Sequence, residues 1–459
     1  MHRDDASPHR QLDNAHVWHP FTAMSPYVLE DAPIITHAEG FHLFDEQGRR
    51  YLDGHSSLWC NVHGHRVSEL DAALIEQIGR VSHSTLLGIA NDRSIELAAE
   101  LVKLAPEGLT RVFYTDCGAA GVEAALKMAW QYHRQKPVSE DRRLFACLDQ
   151  SYHGDTVGAV SVGGIDQFHS LFGGMTFPAL RLPTPAAALA PPPHQVPLET
   201  ILSQTEHLLD QHAQELAAVI VEPLVQAAAG VLVHPPGYLR ELRRLTKSRG
   251  ILLIADEIAV GFGRTGTLLA CEQEEVVPDL LVLSKGLTGG YLPLAATLAT
   301  EEIFAAFGGQ PWEGRTFFHG HTYTGNPLAC AVALASIRRF ETHGVLENAR
   351  LIEQRLAARL SHWKSSSPPW MSHVGEVRHR GTMAALDLVA KHEPLTLFPR
   401  EMRAGHRVTL ACRKRGVILR NIGDTVILYP APAMPLELVN ELLDCVAESI
   451  AEVMAALGS

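Results

Sequence analysis

Two short apolar runs, each ending in a charged residue, constrain the fold of this chain more than any other feature. The run 251–255 leads directly into Asp256, and the run 280–283 leads through Ser284 into Lys285. Runs of this length without polar alternation are typical of strands buried on both faces of a parallel sheet. Since ligands bind where the strands of open α/β sheets end, the two runs predict a site containing an acid and a lysine.

Further apolar runs alternate with helical stretches from residue 66 to 330, and this alternation predicts the fold class. It is typical of a mostly parallel sheet covered by helices, so we expect an α/β fold. Residues 375–388 and 417–429 read as strands of a smaller sheet. We therefore divide the chain into an N-terminal arm with part of a small domain (1–65), a large domain (66–330) and a small α+β domain (331–459).

Composition excludes several classes of protein. The formal net charge of −12 argues against nucleic acid or an anionic membrane surface as a partner. The sequence contains no run of about 18 apolar residues that could span a membrane, and residues 1–14 lack the apolar core of a signal peptide. The seven cysteines form no C-x-x-C pair, which favours reduced thiols and a cytoplasmic protein. Residues 1 to about 15 are polar, and we expect them to be poorly ordered.

Two other patterns do not lead to a function. The 25 histidines are accompanied by neither an H-E-x-x-H motif nor a cysteine cluster, so we expect no metal site. Residues 261–266 fit G-x-G-x-x-G, but the motif does not directly follow a strand and no helix clearly begins after it. A dinucleotide site requires both features. We interpret the motif as a glycine-rich loop that positions Arg264.

An acid and a lysine from neighbouring strands suit the chemistry of pyridoxal phosphate. The amine of Lys285 would bond to the cofactor's aldehyde carbon, and Asp256 would keep the pyridine nitrogen protonated so that the ring accepts electrons. A plain ion pair at the strand ends explains the same two residues. The pair by itself therefore leaves both interpretations open.

Three longer blocks favour the cofactor site. They are 256–266 (DEIAVGFGRTG), 284–286 (SKG) and 322–329 (TYTGNPLA). In this order and at these separations they resemble the class III, fold type I aminotransferases, and the resemblance extends over most of the chain. It implies pyridoxal 5′-phosphate as cofactor, with Lys285 as its covalent partner and Asp256 at its ring nitrogen.

The resemblance also implies roles for residues around the cofactor. In the family, a helix start like that at Gly118 and Ala119 holds the phosphate, which small residues and free helix amides allow. Tyr152 matches the tyrosine that stacks on the pyridine ring, Ile258 would pack on the other face, and Glu222 matches a glutamate beside the cofactor. The turn at Gly118 can also be read as an ordinary strand-to-helix turn. Tyr152 can be read as a core tyrosine, and Glu222 as a structural cap.

Thr322 matches the family residue that reaches the phosphate bound by the neighbouring subunit. The resemblance therefore implies a homodimer with shared active sites, which residue spacing alone cannot establish. Gly320, in the same stretch, is a candidate for substrate contact. By analogy with the family, His153 and Asp155 would help to hold the polar amino end of a substrate.

Within the family, the block 17–24 (VWHPFTAM) closely resembles the branch that works in biotin synthesis, and the blocks 53–65 and 416–420 fit the same branch. This implies conversion of 8-amino-7-oxononanoate to 7,8-diaminononanoate, with S-adenosylmethionine or, in some members, lysine as amino donor. Trp18 and Phe21 also have a plainer interpretation as anchors of the N-terminal arm.

A long apolar keto acid needs an apolar slot and one cation for its terminal carboxylate. Phe21 and Trp59 would supply the walls, and Arg420 would supply a bidentate clamp, with Arg264 as the other candidate cation. The best-known form of the branch has tyrosine in place of Phe21 and tryptophan in place of Leu58. Both differences weaken the case for S-adenosylmethionine as donor without excluding it.

Three other functions fit part of the pattern. A general ω-aminotransferase, acting on a diamine or ω-amino acid with pyruvate, explains the cofactor residues but not the block 17–24 or Arg420. An aminomutase or racemase would need no external acceptor. A non-catalytic scaffold predicts the loss of Asp256, Lys285 or Tyr152, and all three are present.

Overall fold

The computed structural model describes residues 7–457. Its strands are β1 (Ile35–Glu39), β2 (His42–Asp45), β3 (Arg50–Asp53), β4 (Leu109–Thr115), β5 (Leu144–Leu148), β6 (Ala179–Leu182), β7 (Leu216–Val221), β8 (Val225–Gln226), β9 (Leu232–Val233), β10 (Leu252–Asp256), β11 (Leu280–Leu283), β12 (Ala295–Thr300), β13 (Val374–Arg380), β14 (Met383–Leu388), β15 (Val417–Ile418), β16 (Arg420–Ile422) and β17 (Thr425–Leu428). Its helices are α1 (Pro8–His16), α2 (Met24–Tyr27), α3 (Ser56–Trp59), α4 (Ser68–Ile78), α5 (Asp92–Leu104), α6 (Gly118–Gln135), α7 (Val157–Ser161), α8 (Asp166–His169), α9 (Leu198–Gln211), α10 (Tyr238–Ser248), α11 (Glu301–Ala306), α12 (Pro327–Thr342), α13 (Val345–Ser366), α14 (Ala404–Lys414) and α15 (Leu436–Leu457).

A seven-stranded sheet forms the centre of the molecule, in the order β4-β12-β11-β10-β7-β5-β6. Every strand runs parallel to the others except β12, which is antiparallel to β11 and β4. The two apolar runs that end at Asp256 and Lys285 are the adjacent strands β10 and β11, with Asp256 opposite Val282. Both strands are buried along their whole length. The predicted α/β fold with a mostly parallel sheet is confirmed.

Besides the two-stranded sheet β8-β9, the described residues form two four-stranded sheets. One has the order β13-β14-β17-β16 and is antiparallel. The other has the order β1-β2-β3-β15, in which β15 pairs in parallel with β3. The prediction that residues 417–429 all join the C-terminal sheet is therefore wrong for Val417 and Ile418, because they extend the N-terminal hairpin. The division into domains at residues 65 and 330 stays a prediction.

The N-terminal arm is more ordered than predicted. Residues 1–6 lie outside the described part, but the rest of the predicted disordered stretch forms helix α1. Ser7 caps this helix by accepting from the amide of Arg10, at 3.2 Å. The guanidinium of Arg10 donates to Asp13 at 2.6 Å and to the hydroxyl of Tyr27 at 3.0 Å. These contacts tie the arm to the following segment. Among residues 7–457, no helix is both long and apolar enough to cross a membrane.

Candidate active site

A cleft of about 730 Å³ lies where β5, β7, β10 and β11 end. It brings together most of the residues that the sequence analysis proposed. Those on its walls are Phe21, Trp59, Gly118, Ala119, Tyr152, His153, Asp155, Glu222, Asp256, Ile258, Lys285 and Arg420. Segments far apart in the chain therefore meet at one edge of the central sheet, as expected for an open α/β sheet.

Lys285 lies just beyond β11, with a backbone φ of +45° that non-glycine residues rarely adopt. Its Nζ atom is 4.8 Å from the centroid of the Trp59 ring. Burial lowers the pKa of Lys285, although the negative charges of Asp256 and Glu222 act in the opposite direction. A larger fraction of this amine is therefore unprotonated than for a lysine in water, and an unprotonated amine is the form that attacks a carbonyl carbon.

Asp256 is the last residue of β10 and is buried. Its Oδ2 atom lies 2.7 Å from Nδ1 of His153, and its Oδ1 atom accepts from the amide of Ile258 at 3.0 Å. These two contacts fix the plane of the carboxylate at the bottom of the cleft. The expectation that His153 helps to hold the substrate stays a prediction, and in the structure its Nδ1 atom also makes it a partner of the acid.

Glu222, at the end of β7, orients the neighbouring Tyr152. Its carboxylate accepts from the amide of Tyr152 at 3.2 Å and from that of Ala227 at 3.0 Å. Burial raises the pKa of Glu222 to about 7. The Tyr152 hydroxyl donates to Asp155 at 2.7 Å, so the ring of Tyr152 is held from both ends.

The start of α6 forms an open cradle of backbone. Gly118 is the first residue of this helix, and a Cβ atom at that position would come within 2.8 Å of the Ile258 side chain. A side chain at this position would therefore require Ile258 to move. The first amides of a helix have no partner within it, and with the helix dipole they favour an anion. The cradle fits a phosphate group, while Asp256 and Lys285 fit a protonated ring nitrogen and an aldehyde in the same cleft.

One wall of the cleft has an unusual backbone. The four residues of α3, Ser56 to Trp59, have φ values of +54°, +45°, +66° and +71°, so this turn is left-handed. In non-glycine residues the left-handed conformation costs about 1–2 kcal/mol per residue. Asp53 offsets part of that cost by accepting from the Ser57 amide at 2.9 Å and from its hydroxyl at 2.7 Å. The turn directs Leu58 and Trp59 into the cleft.

Arg420 supplies a positive charge on the opposite wall. Its guanidinium carbon is 5.5 Å from the centroid of the Phe21 ring. Among residues 7–457 its guanidinium forms neither a hydrogen bond nor an ion pair, and Tyr152 is a titratable neighbour. Burial lowers the pKa of Arg420, which remains a cation at neutral pH. An unpaired guanidinium beside an aromatic ring suits a carboxylate on an apolar chain.

Three proposed residues do not reach the cleft of their own chain. Arg264 is only 1% exposed, and its guanidinium donates to backbone carbonyls behind the wall. Gly320 and Thr322 lie on an exposed loop outside the cleft. Conversely, sequence analysis missed Phe168, whose ring packs edge-on against Phe21 at 5.4 Å. Phe168 belongs to the four-residue helix α8, which is too short to leave a periodic signal in the sequence.

The sequence was compared with protein families and with known proteins. Residues 27–454 match the family described as aminotransferase class-III. The chain is 51% identical over 446 residues to the adenosylmethionine-8-amino-7-oxononanoate aminotransferase of Nitratidesulfovibrio vulgaris, covering 96% of this chain and 80% of the relative. It is 45% identical to the protein of the same name from Aquifex aeolicus, with 96% of each chain covered.

Solved structures agree with this similarity. The crystal structure of the adenosylmethionine-8-amino-7-oxononanoate aminotransferase from Methanocaldococcus jannaschii has 38% identity and a TM-score of 0.90, covering 96% of this chain and 98% of that chain. An amine transaminase from an uncultivated Pseudomonas species, in the PLP-bound form, has 33% identity and a TM-score of 0.87, covering 95% and 99%.

Proposed function

The chain belongs to the class III aminotransferases, fold type I enzymes that use pyridoxal 5′-phosphate, and on this premise we propose that it converts 8-amino-7-oxononanoate to 7,8-diaminononanoate in biotin synthesis. S-adenosylmethionine is the favoured amino donor, with lysine as the alternative. The observation that carries the proposal is the 51% identity, over 96% of the chain, to an enzyme named for this reaction.

The residues of the cleft fit the cofactor. The α6 cradle at Gly118 suits its phosphate, Asp256 its ring nitrogen, and Lys285 its aldehyde. Bound pyridoxal phosphate supplies an electron sink for the carbon that loses or gains the amino group. Asp256, held by His153, keeps the ring nitrogen protonated. Lys285 Nζ removes a proton from the donor carbon and, in the second half of the reaction, returns one to the acceptor carbon.

The walls of the cleft suit a long apolar keto acid. Arg420 binds the terminal carboxylate, and Phe21 and Trp59 line the path of the methylene chain. Asp155, which accepts from the Tyr152 hydroxyl, binds the polar amino end. The unpaired guanidinium of Arg420 supports this orientation, because a buried cation gains most from an anionic ligand.

The same proposal includes a homodimer with shared active sites. Thr322 and Gly320 act at the partner's cleft, with the Thr322 hydroxyl on the partner's phosphate. Their exposed position, outside the cleft of their own chain, is compatible with that role. We also propose that the enzyme works in the cytoplasm, because all seven cysteines are free thiols.

Absorbance of the holoenzyme tests the reaction and its donor. The enzyme is mixed with S-adenosylmethionine or with lysine, without keto acid, and conversion from the pyridoxal to the pyridoxamine form is followed. Conversion by S-adenosylmethionine, reversed by 8-amino-7-oxononanoate, is the expected result. If lysine alone converts the cofactor, and the keto acid reverses this conversion, the proposed reaction of the keto acid stands and lysine is the amino donor.

A general ω-aminotransferase is the second candidate function. It is supported by the similarity to a solved amine transaminase, with 33% identity and a TM-score of 0.87, and it requires the same cofactor residues. If a diamine or β-alanine converts the cofactor and 8-amino-7-oxononanoate does not restore it, this second function replaces the first.

A further inference from the structure

Arg264 lies behind the cleft wall and is surrounded by backbone oxygens. One nitrogen of its guanidinium donates to the carbonyl of Pro430 at 2.8 Å, and the other donates to the carbonyls of Trp59 at 3.2 Å and Asn61 at 2.9 Å. The face of the guanidinium lies 4.6 Å from the centroid of the Tyr429 ring. These contacts tie the end of α3 to the segment after β17.

Among residues 7–457, the hydrogen-bond partners of Arg264 include no acidic side chain. Burial lowers the pKa of Arg264 to about 10. Burying a cation costs free energy unless its N–H groups are hydrogen-bonded. The carbonyls of Trp59, Asn61 and Pro430 supply these bonds, so we attribute a structural role to Arg264. With 1% exposure and no surface on the cleft, Arg264 cannot reach a substrate that lies against Trp59.

Asp53 holds the same turn from the other side. Besides binding the amide and hydroxyl of Ser57, its carboxylate lies 3.2 Å from a ring nitrogen of His55 and 3.0 Å from one of His65. Burial opposes ionisation of Asp53, yet the neighbouring histidines hold its pKa below the usual range. Like Arg264, Asp53 has no surface on the cleft.

The position of Trp59 depends on this arrangement. Its ring stacks on that of Tyr429, with centroids 5.0 Å apart, and its centroid lies 4.8 Å from the Lys285 amine. A right-handed or extended backbone at 56–59 would point Leu58 and Trp59 in other directions, because side-chain direction follows the backbone. Leu58 and Trp59 therefore line the substrate slot only if the turn at residues 56–59 is left-handed.

We infer that Arg264 is a positioning residue: together with Asp53 it holds residues 56–59 in the left-handed turn that sets the shape of the substrate slot. The inference deepens the proposed function and rests on it for the identity of the substrate. It replaces the interpretation of Arg264 as a second carboxylate ligand. Arg264 then acts on every substrate equally, whereas Arg420 acts only on those that carry the terminal carboxylate.

A comparison of two amines separates these roles. The holoenzyme is mixed with 7,8-diaminononanoate or with its methyl ester, which lacks the terminal charge, and the rate of conversion to the pyridoxamine form is measured. Arg264→Gln should slow both amines by the same factor, on the order of 10- to 100-fold, because a displaced wall misplaces the reacting atoms. Asp53→Asn should slow both to a similar relative extent. Arg420→Gln should slow only the free acid.

Hydrogen exchange supplies a readout that does not depend on activity. Amides of residues 56–61 should exchange faster in Arg264→Gln and Asp53→Asn than in the wild type, and at the wild-type rate in Arg420→Gln. Arg142→Gln is the matched control, because Arg142 is also buried and donates to backbone carbonyls, of Ala213 and Leu216. It should leave both the half-reaction rates and the exchange of residues 56–61 unchanged. If Arg264→Gln does not fold, Arg264→Lys is used.

Two results would overturn the inference. One is a loss in Arg264→Gln that affects the free acid and spares the ester, which would make Arg264 a carboxylate ligand. The other is unchanged exchange at residues 56–61. A wrong proposed function would give another result, because the wild type would then not react with 7,8-diaminononanoate. The hydrogen-exchange measurement would still decide the role of Arg264.

Discussion

The Nδ1 atom of His153 lies 2.7 Å from the Oδ2 atom of Asp256, and both side chains are buried. A carboxylate has no proton to give, so Nδ1 carries the hydrogen of this bond. The imidazole therefore binds and orients the carboxylate at the bottom of the cleft. Within residues 7–457, the other ring nitrogen of His153 has no partner.

Loss of this bond should weaken catalysis more than it weakens folding. A hydrogen bond to a charged group contributes about 1.5–3 kcal/mol, so His153→Leu should lower kcat about 10- to 100-fold. His153→Asn, which can still donate to Asp256, should recover part of the rate. His234→Leu removes another buried histidine, away from the cleft, and serves as control. Equal losses of kcat in the His153→Leu and His234→Leu variants would contradict this role.

Replacement of Lys285 should abolish turnover while leaving the fold intact. Lys285→Ala removes the group that attaches the cofactor and moves the proton, so activity should fall below detection while circular dichroism is unchanged. After borohydride reduction, mass spectrometry should find the cofactor on the Lys285 peptide of the wild type. Lys247→Ala, at an exposed lysine of α10, should behave as the wild type. Normal turnover in Lys285→Ala would falsify the assignment.

Arg420 should discriminate between the two substrates. Its guanidinium lies in the cleft beside the Phe21 ring, so Arg420→Gln removes the proposed partner of the keto acid's terminal carboxylate. A lost charged hydrogen bond corresponds to about 10- to 100-fold in binding, which should appear in KM for the keto acid and much less in KM for the donor. Arg80→Gln, at an exposed ion pair, is the control. The clamp is refuted if both KM values rise together.

Glu257 should make stability depend on pH. Burial raises its pKa to about 7, above the unfolded value near 4.5, while its carboxyl accepts from the amides of Ala270 and Cys271. The folded state thus binds the extra proton between these two pH values, and stability falls as pH rises through them. Relative to wild type, Glu257→Gln should gain about 1–3 kcal/mol in unfolding free energy between pH 5 and pH 8.

Denaturant unfolding at several pH values measures this difference. The comparison between variant and wild type removes the contributions of other titrating groups, including Glu222. Glu199→Gln, at an exposed position, controls for the loss of a carboxyl group. A constant difference between Glu257→Gln and wild type across this range would show that Glu257 does not take up a proton on folding.

The chemical groups of the cleft could be predicted from sequence because they follow buried strands. Asp256 and Lys285 each end an apolar run, and a parallel sheet brings such ends to one edge. The left-handed turn could not be predicted, since residues 56–59 include neither glycine nor asparagine, which usually mark this conformation. Arg264 was visible as a cation, but the carbonyls that converge on it come from segments distant in the chain.

The pairing of β3 with β15 has a consequence for synthesis of the protein. The first partner of β3 is β2, its neighbour in the hairpin, but its second edge is covered by β15, which lies near the C-terminal end of the sequence. While the ribosome makes most of the chain, that edge presents unpaired amide and carbonyl groups, which can pair with strands of other molecules. An edge that stays unpaired until residues 417–418 emerge favours association of nascent chains, and we expect a translation pause just upstream of these residues to lower the yield of native enzyme.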